Sequence, residues 1–141
     1  MFELRRAIWS KNADRLEDLL KNGSDPNKPF SDNSRPLYSS IINGSDETTE
    51  VLLKYGADPN LKMDEGRDHS SALGCAMFLE RKHTVYLLLQ YLANMHAKED
   101  IHATVHDYAF MFNRFEIIDM FYRANKGDIV RFGDGCKPSL I

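Results

Sequence analysis

The chain has 141 residues, long enough for one domain with a packed core, and its 43% hydrophobic and 28% charged residues exclude wholesale disorder. A net charge of -3 provides no strong field and argues against a nucleic-acid partner, while no apolar run reaches membrane-spanning length. Cys75 and Cys136 make no disulfide framework, and Glu3, Arg5 and Arg6 interrupt the start where a signal peptide needs an apolar stretch, so a cytoplasmic protein is expected.

Along the chain one block recurs. Leu19 to Asn27 reads Leu-Leu-Lys-Asn-Gly-Ser-Asp-Pro-Asn, and Leu52 to Asn60 reads Leu-Leu-Lys-Tyr-Gly-Ala-Asp-Pro-Asn, an offset of 33 residues. A weaker copy from Leu88 to His96 follows after 36. Aligned on the small residues Ala7, Ser40, Ala76 and Ala109, one register fits four units, at 1–27, 28–60, 61–96 and 97–125. Three residues before each small residue stand Leu4, Leu37, Leu73 and His106; thirteen after it stand Leu20, Leu53, Leu89 and Tyr122. These are the expected core positions between neighbouring units.

Each unit holds two short apolar-periodic segments, such as Leu37 to Ile42 and Thr49 to Tyr55, with a polar turn at Asn43 to Asp46. Segments so short must stack to be stable. Gly23 and Gly56 stand where a left-handed residue closes a helix, and Pro36 stands where a helix begins. Leu92 replaces that glycine in the third copy and predicts a different helix ending or backbone strain. Sixteen residues after Ala109 the corresponding position is Asn125. Residues 126–141 do not repeat and read as a cap, a loose tail or the start of something further.

The two blocks ending Gly-x-Asp-Pro-Asn, with partial openings at Arg35, Ser71 and Thr104, resemble the ankyrin-repeat family over about residues 1–125. The resemblance implies an all-α solenoid of about four helix-turn-helix units, with divergent caps at both ends and β-turn or loop tips. It also implies protein binding along the concave side, formed by the tips and the exposed positions of the first helices.

Carried onto this sequence, that rule selects Trp9, Ile42, Phe78 and Met111, two positions after the aligned small residues, with Leu79 and Phe112 beside them. Large apolar groups recur there, as the anchors of a protein interface would. Inward rotation in an irregular solenoid, or cover by the tail, is the alternative. Tyr55 and Tyr91 precede the glycine-equivalent positions and are assigned next to the same surface. In the tips, Phe30 is a candidate anchor, and Asp64, Glu65, Arg67 and Asp68 supply charge in the lengthened second tip.

Chemistry finds little support. His69, His83, His96, His102 and His106 form no closely spaced structural zinc set, and Cys75, His83 and Asp107 make a nucleophilic triad only on paper. The glycines punctuate repeats instead of cradling a phosphate. The expectation is a non-enzymatic interaction module with no catalytic, metal or cofactor residue and with another protein as its partner, one that it masks or regulates. An immunity or inhibitor protein, an assembly scaffold and a host-directed factor are the alternative roles. The apolar row fits a homo-oligomer as well as a second protein.

Overall fold

The computed structural model of the protein describes residues 2–43, 45–61, 71–91, 93 and 115–127. Asp64, Glu65, Arg67, Asp68, Met111 and Phe112 lie outside the described residues, as do His69, Leu92, His96, His102 and His106.

Seven helices are described: α1 (Phe2–Trp9), α2 (Ala13–Lys21), α3 (Pro36–Ile42), α4 (Asp46–Lys54), α5 (Ala72–Phe78), α6 (Lys82–Gln90) and α7 (Phe115–Lys126). They pack as antiparallel pairs, α1 with α2, α3 with α4 and α5 with α6. Successive first helices meet as α1, α3, α5, and successive second helices as α2, α4, α6, α7. Two helical layers result. No described helix is long and apolar enough to cross a membrane.

The aligned positions fill the space between these layers. Leu4, Leu37 and Leu73, the small residues Ala7, Ser40 and Ala76, and then Leu20, Leu53 and Leu89 are all buried. Ser40 needs a polar solution because its hydroxyl is fully buried. It donates to the Leu37 carbonyl at 2.7 Å and accepts from the Thr49 hydroxyl at 2.9 Å, which ties α3 to α4. Pro36 opens α3, where its missing N–H costs nothing. Asn12, Ser45 and Ser71 cap α2, α4 and α5 by accepting from Arg15, Thr48 and Gly74 N–H groups. Asp46 therefore belongs to the first turn of α4 and not to the preceding turn.

Helix endings repeat a single hydrogen-bond pattern. After α2, the Gly23 N–H donates to Leu20 and the Ser24 N–H to Leu19; after α4, Gly56 donates to Leu53 and Ala57 to Leu52. Both glycines have positive φ, 103° and 101°. This is the Schellman arrangement, in which a left-handed residue lets the chain reach back to the last carbonyls. After α6, Ala93 still donates to Leu88 at 2.9 Å, so the same closing bond is present next to Leu92.

The turns inside the first and third units use the pattern too, but without glycine. Lys11 donates to Ile8 and Asn12 to Ala7; Glu80 donates to Met77 and Arg81 to Ala76. Lys11 and Glu80 carry φ of 59° and 58°, and in the sequence the matching position of the second unit is Gly44. A side chain in this conformation is disfavoured by about 1 kcal/mol. Lys11→Gly is accordingly expected to stabilise the fold by roughly 0.5–1 kcal/mol, partly offset by the greater freedom of glycine in the unfolded chain. A urea titration against the unsubstituted protein measures the gain.

Asn27 explains why the block ends as it does. Its side-chain amide donates to the Gly56 carbonyl at 3.0 Å and accepts from the Asp58 N–H at 2.7 Å, clamping the first unit to the second. Asp25 accepts from the Asn27 N–H at 2.8 Å, and the Arg35 guanidinium donates to the Asn27 carbonyl at 2.8 Å. Asp58 and Asn60 repeat the local turn, again at 2.8 Å. Asn27→Ala would leave two backbone groups without their partners, and a loss of about 1–3 kcal/mol in chemical denaturation is expected. Alanine at the exposed Asn22 should cost far less.

Candidate functional site

Trp9 and Phe78 are the last residues of α1 and α5, and Ile42 is the last residue of α3. Each stands two places after the buried small residue of its helix. Because α1, α3 and α5 pack side by side, the three side chains form a row across the first-helix layer. They are 58%, 54% and 45% exposed for Trp9, Phe78 and Ile42, and Leu79 extends the row past Phe78. An aligned apolar row left in water is the informative departure from ordinary scatter of single hydrophobic residues.

The first tip folds against one end of this row. Phe30 N–H donates to the Ser34 carbonyl at 2.8 Å and Asn33 N–H to the Phe30 carbonyl at 2.9 Å, with Asn33 left-handed at φ 67°. Asp32 accepts from both the N–H and the hydroxyl of Ser34, at 3.0 and 2.6 Å. It also takes the guanidinium of Arg5 at 2.6 Å. These contacts pull its carboxyl down from 3.8 to about 2: the Ser34 hydroxyl contributes most, the Ser34 N–H next, and the Arg5 hydrogen bond third. The carboxylate is thus ionised at neutral pH and anchors the tip to α1.

Arg5 is the hub of this corner. Its guanidinium carbon lies 4.8 Å from the centre of the Trp9 ring and 5.1 Å from that of Phe30. Such placement is the geometry of cation–π attraction. The Arg5 Nε is buried without a hydrogen-bond partner, so the two rings and Asp32 hold the group in place. Arg5, Arg6, Trp9 and Ser10 line an open depression of about 420 Å³.

Two expected surface residues are corrected by this geometry. Phe30 is only 5% exposed, because the tight tip turns its ring inward beneath Arg5; it belongs to the core. Tyr91 is 8% exposed and joins the core, since it closes α6 in the second-helix layer while the row lies on the first helices. Tyr55, at the matching end of α4, is half-buried and packs against the core in the same way. The structure therefore brings together Trp9, Ile42, Phe78 and Leu79, with Tyr91 in the core and Tyr55 half-buried against it. Arg5 and Lys11 were missed by sequence reasoning. Arg5 left no repeating signal, whereas Lys11 shares its register with Gly44.

Elsewhere, Cys75 is partly buried on α5 and His83 is exposed on α6. Phe115, exposed at the start of α7, is a further large apolar group that the repeat register did not select. Its neighbour Glu116 pairs with Lys82 at 2.8 Å.

Residues 4–99 match a family model for ankyrin repeats in three copies. The chain is 35% identical over 77 residues to "Arf-GAP with coiled-coil, ANK repeat and PH domain-containing protein 2" of Rattus norvegicus, covering 51% of this chain and 10% of that protein. It is 39% identical over 54 residues to "BCL-6 corepressor-like protein 1" of Homo sapiens, covering 38% and 3%. To "Putative ankyrin repeat protein FPV024" of Fowlpox virus (strain NVSL) it is 27% identical over 95 residues, covering 67% and 16%. The matched regions are thus small parts of much longer relatives.

Proposed function

This chain belongs to the ankyrin-repeat family, whose fold supports a general role in protein–protein interaction, and we propose that it is a non-enzymatic module that masks or regulates a partner by covering part of its surface. The observation that carries the reading is the row of Trp9, Ile42 and Phe78, with Leu79, exposed at one register on three adjacent first helices. A few well-buried anchors near the centre of an interface, with tryptophan prominent among them, carry most of the binding energy in protein complexes. A solenoid presents such groups on a broad, rigid face, so little ordering cost is added on association.

The test is a pull-down from the native cell extract with the protein and its Trp9→Ala/Phe78→Ala variant, followed by affinity measurement on any stoichiometric partner. Loss of two anchors is expected to weaken binding by about 2 kcal/mol or more, roughly thirtyfold. Helical circular dichroism should be retained, because both side chains are more than half exposed. Trp9 also supports Arg5, so Phe78→Ala alone is the cleaner of the two single variants. Equal retention by wild type and double variant, with both folded, rejects the row as the interface. The partner's identity then separates neutralisation of a toxic enzyme from a place in an assembly.

A further inference from the structure

The row is not electrically uniform. At the first-unit end, Arg6 is exposed on α1 and lines the depression beside Trp9, and Lys11 is exposed in the turn that follows. Neither makes an ion pair with another described residue. The nearby opposite charges are largely engaged: Asp32 holds Arg5 at 2.6 Å, and Glu3 faces Arg15 at 3.6 Å. Asp14 sits in the first turn of α2, where the helix dipole favours an acid. Two exposed cations thus stand on either side of Trp9 in the sequence, with no acid among the described residues committed to them.

Lys11 holds this place in a left-handed conformation that glycine adopts more easily, at φ 59°. The turn is already specified by the bonds from the Lys11 N–H to Ile8 and from the Asn12 N–H to Ala7, neither of which involves the lysine side chain. The lysine side chain adds nothing to those bonds. What it adds is a positive charge in the exposed turn directly after Ser10, the last residue in the chain that lines the depression.

Resting on the interface reading above, we propose that the first-unit end of the row receives an acidic segment of a partner protein. Its apolar side chain packs on Trp9, and its carboxylates face Arg6 and Lys11. Guanidinium and ammonium groups strengthen hydrogen bonds to carboxylate, and complementary charge at an exposed rim speeds association and selects the partner. With two uncommitted cations among the described residues here and a net charge of -3, the surface suits a peptide carboxylate better than a continuous phosphate backbone.

Fluorescence anisotropy on the full chain tests this with three labelled peptides: leucine and phenylalanine flanked by glutamates, the glutamine twin and the lysine twin. The acidic peptide should bind about tenfold or more tightly than the lysine twin at low salt, with the gap shrinking as salt rises. Arg6→Glu with Lys11→Glu should reverse the preference. Lys11→Gly separates this role from a structural one, because it should raise the denaturation midpoint while weakening the acidic peptide. Trp9-dependent binding with no preference among the three peptides overturns the acidic partner and leaves the row standing. Failure of the acidic peptide to bind, or tighter binding of a single-stranded oligonucleotide, also overturns it. The Phe78→Ala pull-down decides the row independently.

Discussion

Alanine at Leu53 is expected to destabilise the protein by about 2–5 kcal/mol, one of the largest effects available to a single substitution here. Leu53 is essentially inaccessible, next to the equally buried Leu52, on the helix that packs against both α2 and α6. Truncation removes apolar area from water-excluded contact and leaves a cavity that two rigid neighbours cannot close. In a stack each unit leans only on the units beside it, so weakening the second unit loosens contacts in both directions. Against a typical total stability of 5–15 kcal/mol, roughly, such a loss is a large share. Urea denaturation followed by circular dichroism gives the value. Glu50→Ala, exposed on the same helix, is the matched control and should change stability by no more than about 0.5 kcal/mol. A Leu53→Ala protein as stable as that control would remove Leu53 from the inter-unit core.

Much of this stack was legible because repetition turns one position into several observations. The recurrence of Leu20, Leu53 and Leu89 identified buried positions, and Gly23 and Gly56 identified left-handed helix endings. The row at Trp9, Ile42 and Phe78 emerged in the same way, since each stands at a fixed distance from a buried small residue. Properties that belong to one unit alone were harder to read. Phe30 turns inward through hydrogen bonds within its own tip and a contact with Arg5, neither of which has a counterpart among the described residues. The Asn27 clamp crosses between units, and only its recurrence as Asn60 hinted that the side chain is needed. For Lys11, the relevant signal was the glycine at the matching place in the next unit. Pattern shows which positions are equivalent; the conformation each must adopt was visible only where glycine occupied it.

The fourth unit shows what happens when the register is extended too far, and it gives the second large prediction. Counting from Ala109 places Tyr122 in the core, but the buried residues of α7 are Ile117, Phe121 and Ala124, spaced as one helical face. Phe121 is fully buried, whereas Tyr122 is 57% exposed and carries the Lys126 ammonium 4.7 Å from its ring centre. The shift accompanies a longer helix: α7 has 12 residues where α2, α4 and α6 have 9. It ends before Gly127, left-handed at φ 80°, so Asn125 is inside the helix and not at its closing turn. Phe121→Ala should therefore cost about 3–5 kcal/mol, by cavity formation against α6. Tyr122→Ala should cost no more than about 1 kcal/mol, the scale of an exposed cation–π contact. Measuring both by urea denaturation makes the register itself testable. Comparable losses at the two positions would mean that α7 buries a wider face than Ile117, Phe121 and Ala124 provide. A larger loss at Tyr122 would restore the register counted from Ala109 and rotate the helix by one residue about its axis.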